Sequence, residues 1–479
     1  MKIYSTMTRE KEDLKSLFRD KIKLFVCGPT VYDDAHIGHG RTYISFDTIK
    51  RYLEFKGYSV FYLQNITDID DKIINRAKET DVDSKLLAQK FEKRFIEDMA
   101  ELNVASVNYF ARATDHIDEI IDQIQRLIDK GFAYVTETGV YFEVAKKGDF
   151  GKLANRNIDE LETHRINVDS SKKSPHDFAL WKNREAPEYA GEPVWPSPWG
   201  AGRPGWHIED TAITEKYFGP QYDIHGGGLD LIFPHHDAEI AQMEAVSGKE
   251  PLVQYWMHTG FLNVNGEKMS KSLGNFITIR DLLKNYSGET FRLFVLATHY
   301  RSPIDFSEVS LHQAEKNLAK IKNFVEVLDE KIATKLTGDY EYLADLTDSV
   351  VREELLKFDY NVSEYDALKT YTKEFFDSMD DDFSTPKAIA SVFSFMKQYN
   401  KDDVDLAIED LLAIKHWFAD ISQILGIDFL AKEESVSGND EALLDIIADV
   451  RSKLRAEKQY DLSDEIRDKL VELGIEVSD

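Results

Sequence analysis

The sequence predicts an α/β fold, a doubly wound parallel sheet, with a helical region behind it. Three observations carry that prediction. An apolar run, a helix-spaced segment and a second apolar run succeed one another between residues 23 and 63; a related succession recurs between 222 and 257; and long amphipathic periodicities begin beyond residue 306. At roughly 100–200 residues per domain, 479 residues allow about two to four domains. With 42% hydrophobic and 30% charged residues the balance is that of a globular protein, which excludes a mainly disordered chain.

Taken in order, residues 23–27 are mostly apolar and stop at Gly28-Pro29, which predicts a buried strand ended by a turn. Between Gly40 and Gly57, Tyr43, Phe46, Ile49 and Leu53 recur on one helical face, and Val60-Phe61-Tyr62-Leu63 reads as a second buried strand. Strand, helix, strand is the parallel unit of such a sheet. From about 76 to 205 the unit does not repeat; strand-like pieces near 139–144 and a cluster of Pro, Trp and Gly at 187–205 predict an insertion. The pattern returns with a strand at 222–225, three glycines, a helix at 235–246, an apolar run at 253–257 and a strand at 261–264. Leu318, Ile321, Val325 and Leu328, then Leu443, Ile447, Val450 and Leu454, predict amphipathic helices. The acidic, Ser- and Gly-containing stretch 432–440 is the expected linker, so the predicted parts are 1–305, 306–431 and 441–479.

Fifty-nine Lys and Arg against 87 Asp and Glu give a net charge of −28, so any nucleic acid must be met by local basic patches rather than by bulk charge. The lone cysteine, Cys27, cannot form an internal disulfide and points to a reducing compartment, the cytoplasm by default. Residues 1–25 mix both charge signs without the apolar core of a secretory signal. No stretch approaches the ~20 apolar residues that span a bilayer, so no membrane partner is expected.

Two short motifs carry chemistry. His36-Ile37-Gly38-His39 comes after the first predicted strand, where a helix N-terminus presents N–H groups that suit phosphate. Gly38 would let a ligand approach the backbone, and the two imidazoles can both donate to phosphate oxygens. Lys268-Met269-Ser270-Lys271-Ser272 comes after the strand at 261–264 and gathers two ammonium groups able to neutralise charge on a transferred phosphoryl group or leaving pyrophosphate. Either string alone is equally an ordinary turn. Their order, each behind a predicted strand, resembles the two signatures of class I aminoacyl-tRNA synthetases.

Further strings narrow the resemblance. Cys27-Gly28-Pro29-Thr30-Val31-Tyr32, Asn65-Ile66-Thr67-Asp68-Ile69-Asp70-Asp71-Lys72, Gly202-Arg203-Pro204-Gly205-Trp206-His207-Ile208-Glu209 and Phe233-Pro234-His235-His236 are similar to cysteinyl-tRNA synthetases, as are Asp177-Phe178-Ala179-Leu180-Trp181-Lys182 and Met379-Asp380-Asp381-Asp382-Phe383. The resemblance runs from about Tyr4 to Asp479 and implies a Rossmann-type catalytic domain with a connective insertion and helical tRNA-binding parts. It also implies a monomer that activates L-cysteine with ATP and Mg²⁺ and passes it to tRNA(Cys). By motif position His36, Gly38 and His39 would hold the ATP phosphates, and Lys268 and Lys271 would stabilise the transition state. Gly226, Gly227 and Asp230 would line the nucleotide crevice. Trp206 would close over the amino acid, with Cys27, Gly28, Thr30 and Thr67 facing the same pocket. Each alone is as well explained as a core, cap or turn residue.

His235 and Glu239 stand four apart on a predicted helix, and Cys27 ends the first strand near the same crevice. A mixed Cys, His, Glu site suits Zn²⁺. The family's fourth ligand is a cysteine directly after the Trp-His-Ile-Glu run; here that position is Asp210. Asp210 either ligates zinc as a harder donor or the metal is lost, and with it the family's means of rejecting serine. The metal expectation is therefore Cys27, Asp210, His235 and Glu239. Residues 455–475 resemble the family's anticodon-binding helices, with Lys453, Arg455, Lys458, Arg467 and Lys469 available to phosphates, and the short Gly- and Trp-containing tail common in the family is lacking. Asp210 keeps open an alternative, a paralogue that activates another amino acid or couples an aminoacyl adenylate to a small amine.

Overall fold

The computed structural model describes residues 1–156, 170–269, 274–336, 355–402 and 404–431, and beyond these 447, 450–451, 453–455 and 460–472. It divides into two compact units, Met1–Phe429 and Leu430–Asp479.

In the first unit, β1 (Lys2–Ser5) and β2 (Glu10–Asp13) form an antiparallel pair, followed by β3 (Lys21–Val26), α1 (Ile37–Phe55), β4 (Ser59–Ile66), α2 (Asp71–Thr80), α3 (Ser84–Glu101) and β5 (Tyr109–Arg112). Next come α4 (Ile117–Asp129), β6 (Ala133–Val135), β7 (Gly139–Phe142), β8 (Phe178–Asn183), β9 (Gly202–Pro204), α5 (Trp206–Phe218), β10 (Tyr222–Gly228), α6 (Asp237–Ser247) and β11 (Val253–Thr259). The central sheet has the order β11-β10-β3-β4-β5 with every neighbouring pair parallel. Parallel strands covered on both faces read as near-continuous apolar runs, which is why 23–27 and 60–63 were legible. Phe25, Leu63, Tyr222 and Trp256 sit in its fully buried core.

Two expectations are corrected. The stretch expected as an insertion from 76 supplies β5, the edge strand of this sheet, so the departure from the parallel unit begins only after Arg112. That departure consists of α4 and a four-stranded antiparallel sheet in the order β6-β7-β8-β9. Second, the strand expected at 222–225 runs on through the three glycines, which form the end of β10. A Cβ on Gly226 would lie 2.3 Å from the ring of Phe46 on α1, so glycine is what lets that helix lie against the strand.

The chain continues through β12 (Leu262–Val264), β13 (Glu267–Lys268), α7 (Ile279–Leu282), α8 (Gly288–Leu296), β14 (Ile304–Phe306), α9 (Glu308–Lys335), α10 (Asp366–Asp380), α11 (Thr385–Asp402) and α12 (Ile408–Leu425). Leu318, Ile321, Val325 and Leu328 are buried on α9 as predicted. Arg292 on α8 is wholly buried and ties these helices to the sheet: it pairs with Asp47 of α1 and donates to Leu425 O at 2.5 Å, Asn103 O at 3.1 Å and Leu102 O at 3.2 Å. Helices α9–α12 thus share one unit with the sheet rather than standing apart from it.

In the second unit α13 (Tyr460–Glu472) is described. The expected linker 432–440, Leu443 and Lys458 lie outside the described residues. Val450, expected on an apolar face, is 42% exposed. Arg467 pairs with Asp464 at 3.1 Å and Arg455 approaches it at 3.7 Å.

Candidate active site

The carboxyl ends of β3, β4 and β10 meet at one edge of the sheet, the position where doubly wound folds open their crevice. Into this edge α1 presents its N-terminus. His36 is the N-cap, and its Nδ1 accepts from Gly38 N at 3.1 Å and His39 N at 3.3 Å, while His39 Nδ1 accepts from His36 N at 3.3 Å. With both Nδ1 atoms accepting, each neutral ring carries its proton on Nε2. The rings stack at 3.8 Å, and loss of hydration followed by the neighbouring His36 holds His39 well below the ordinary imidazole range.

The second motif reaches the first. Ile37 N donates to Ile277 O at 3.1 Å and Ile279 N to Ala35 O at 2.9 Å, so the segment after the Lys/Ser loop is pinned to the start of α1. Met269 Cε lies 3.6 Å from where a Cβ on Gly38 would be. Lys268 ends β13, exposed, its Nζ 5.1 Å from the Phe261 ring centre. Lys271 lies outside the described residues.

Behind α1, residues 28–30 run beside 67. Thr67 N donates to Pro29 O at 3.1 Å and Val31 N to Thr67 O at 3.2 Å, with Thr30 opposite Thr67. A Cβ on Gly28 would fall 1.7 Å from Asn65 O, so only glycine permits this approach. The first turn of α5 places Trp206, Glu209 and Asp210 at spacings that share a face. Trp206 is 37% exposed and stacks on His235 at 4.1 Å. Thr67 Oγ1 donates to Glu209 Oε2 at 2.8 Å.

Cys27, Asp210, His235 and Glu239 come together, buried, with ligand atoms all within 4.8 Å of one another. Cys27 Sγ lies 3.4 Å from Asp210 Oδ2; His235 Nε2 lies 3.1 Å from Asp210 Oδ2 and 3.0 Å from Glu239 Oε1. His235 precedes α6 on a single wide turn, Ile232–His236, rather than on the helix itself, yet the spacing of four still brings it to Glu239. A second donor set shares Cys27 and Glu239: His225 Nε2 at 3.4 Å and His236 Nε2 at 3.2 Å from Sγ. The opposite nitrogens of those rings are held by Tyr222 Oη at 2.7 Å and His258 Nε2 at 2.9 Å. Sequence reasoning missed His225 and His236; a histidine on a buried parallel strand beside the strand of the only cysteine was the available signal.

The donor chemistry fits a divalent cation. Asp210 Oδ1 and Glu239 Oε1 are buried without a hydrogen bond. Burial, then Glu239 and Asp210, push the Cys27 thiol well above its ordinary range, and burial followed by Asp210 does the same to Glu239. Such a cluster of acids is stable as anions only around positive charge. Along β10, Gly226 and Gly227 are buried, while Asp230 is exposed in the following turn.

The chain matches the family model for the class I (C) tRNA synthetase catalytic domain over residues 13–316 and that of the DALR domain over 374–430. It is 46% identical over 488 residues to the cysteine–tRNA ligase of Thermococcus gammatolerans, covering 100% of this chain and 97% of the relative. It is 48% identical to that of Thermococcus kodakarensis with the same coverage, and 45% identical to that of Thermoplasma volcanium, covering 100% and 98%. Solved structures with the same fold include a leucyl-tRNA synthetase ternary complex from Agrobacterium radiobacter, with a TM-score of 0.62, 10% identity and coverage of 87% and 84% of the two chains. Another is Mycobacterium tuberculosis methionyl-tRNA synthetase with methionyl-adenylate, with a TM-score of 0.59, 15% identity and coverage of 85% and 92%. A histidine-capped helix start pinned at one sheet edge to the segment 277–279, beside a buried thiol site, and full-length identity near one half lead to a single assignment: the chain belongs to the cysteine–tRNA ligase family of class I aminoacyl-tRNA synthetases.

Proposed function

We propose that this chain activates L-cysteine with ATP, taken with Mg²⁺, and transfers it to tRNA(Cys), acting as a cytoplasmic monomer with one zinc ion. The observation that carries the reading is the buried Cys27, Asp210, His235 and Glu239 cluster at the same sheet edge as the histidine-capped start of α1. No helix among the described residues is long and apolar enough to cross a membrane.

Adenylation needs no general base, because the amino acid carboxylate is ionised at neutral pH and is itself the nucleophile. Its oxygen bonds to the α-phosphorus as pyrophosphate leaves. The chain's task is to hold the phosphates and neutralise the charge that shifts among them. His36 and His39, with protons fixed on Nε2 by their capping bonds, and the N–H groups of α1 do the holding. Lys268 and Lys271 supply positive charge to the transition state. The backbone of Gly226 and Gly227 at the end of β10 borders the nucleotide, with Asp230 at its rim. Gly28, Thr30, Thr67 and Trp206 surround the amino acid. Cys27, Asp210, His235 and Glu239 would hold zinc, which when bound supplies a soft centre that prefers a thiolate to a hydroxyl. In the second step a ribose hydroxyl of the terminal adenosine takes the aminoacyl group and AMP leaves; the helical parts are the surfaces for the tRNA body.

The test is amino-acid-dependent ATP–pyrophosphate exchange with all twenty amino acids, with and without a zinc chelator. Exchange with cysteine alone, lost on chelation, is expected; exchange with another amino acid favours the paralogue. Lys271→Ala should slow exchange by about 10²- to 10³-fold at unchanged cysteine binding, and an unaltered rate removes Lys271 from its role. Asp210→Cys should hold zinc more tightly in a chelator series, because thiolate is the softer donor; equal metal retention counts against Asp210 as a ligand.

A further inference from the structure

Glu209 takes no part in the mechanism above, yet it is fully buried, on the first turn of α5, directly beside Asp210. A buried carboxyl is costly unless something uses it. Its partner is Thr67, whose hydroxyl donates to Glu209 Oε2 at 2.8 Å. A hydroxyl has one proton and two acceptor positions. Once the proton is committed to Glu209, Thr67 can only accept. Asn65 Nδ2 approaches one acceptor position at 3.4 Å, and Asn65 is itself fixed by Gly28 N, which donates to its Oδ1 at 2.5 Å. What Thr67 offers a ligand at the end of β4 is therefore an acceptor.

The charged side chains that act most strongly on Glu209 are acidic. Asp68, Asp70 and Asp210 lie within electrostatic reach of Glu209. Asp68 is held by Thr114 N at 3.0 Å, and Asp70 caps Lys72 N at 2.9 Å, so both keep fixed places. An acceptor with the side chains of Asp68, Asp70 and Asp210 close by suits a cationic donor. L-Cysteine carries one such group, its α-ammonium.

We propose that Glu209 is a positioning residue for the amino acid: its Oε2 takes the Thr67 proton and so leaves that hydroxyl as an acceptor for the substrate α-ammonium. This rests on the reading that cysteine lies against Thr67. It separates the two ends of the substrate: the ammonium is read by Thr67 and Glu209, and the thiol by the Cys27 cluster one residue further along α5.

The test pairs L-cysteine with 3-mercaptopropionate, which has the same thiol and carboxylate and no ammonium. Glu209→Met replaces a buried acid by an apolar side chain of similar length and should fold. It is expected to raise KM for cysteine in pyrophosphate exchange about ten- to a hundredfold, at unchanged KM for ATP. Inhibition by 3-mercaptopropionate and bound zinc per chain should stay within about twofold of the parent. Glu209→Gln, whose carbonyl still accepts from Thr67, should recover most of the loss, and in a Thr67→Val background Glu209→Met should add almost nothing. Equal weakening of cysteine and 3-mercaptopropionate, or loss of zinc, would place the effect in the metal cluster and overturn the proposal, as would an unchanged KM for cysteine or additive effects with Thr67→Val. If the unaltered chain exchanges with a different amino acid, the cysteine reading fails on its own, and the same comparison is made with that amino acid and its des-amino analogue.

Discussion

Cys27→Ala is expected to lose bound zinc and to lower kcat/KM for cysteine in pyrophosphate exchange by about 10²-fold or more, while ATP binding is retained. With Glu239, Cys27 belongs to both donor sets: its Sγ lies 3.4 Å from Asp210 Oδ2, 3.4 Å from His225 Nε2 and 3.2 Å from His236 Nε2. Without it the site keeps two carboxylates and three imidazoles, a harder set that discriminates less well between metals and favours oxygen over sulfur. Folding should be little affected, because the substitution removes a buried acid from a crowded acidic pocket and leaves a void of roughly one sulfur atom, worth about 1 kcal/mol. Metal analysis after dialysis, run beside exchange kinetics, checks both halves. A full complement of tightly held zinc in Cys27→Ala would show that the imidazoles and carboxylates suffice and would remove the thiol from the ligand set.

The features legible in the sequence are those encoded locally. The parallel strands showed themselves as continuous apolar runs, most of whose members are buried although Phe61 of β4 is exposed, and α1 because its apolar residues repeat at helical spacing. β5 was missed since an edge strand of four residues, Tyr109–Arg112, has one half-exposed side and no run to display. The glycines of β10 were not legible as strand, because the constraint on Gly226 comes from Phe46, far away in sequence. Motif spacing brought His36, His39, Cys27, His235 and Glu239 forward. It could not show that His36 caps α1, nor that Thr67 gives its proton to Glu209, since hydrogen bonds between residues 142 positions apart are fixed only by packing.

Arg292→Met should destabilise the first unit by about 3–5 kcal/mol, the usual cost of removing one member of a buried ion pair. Arg292 and Asp47 are both fully buried. Burial alone would raise the Asp47 carboxyl, yet Arg292 and then Arg51 hold it below the ordinary range. A carboxyl with a depressed folded value contributes stability above its unfolded value, near 3.9, and loses it as the pH falls through the folded one. In Arg292→Met the burial contribution loses its main opponent, so the sign reverses: the folded value moves upward, and stability should fall as pH rises from about 4 toward neutrality. Urea unfolding at pH 5 and pH 7, followed by Trp fluorescence, distinguishes the cases. The Leu102 and Leu425 carbonyls would also lose Arg292 as donor, while Asn103 O keeps Arg51 Nη2 at 3.1 Å. Asp47→Asn should cost less, because the amide oxygen can still accept from Arg292. If Arg292→Met proved as stable as the parent at both pH values, the pair would have to be written as no more stabilising than apolar packing in its place. Because Asp47 lies on the same helix whose first turn carries His36 and His39, a loosened Arg292 should also slow adenylate formation, and the double change Arg292→Met with Asp47→Leu should restore stability before it restores rate.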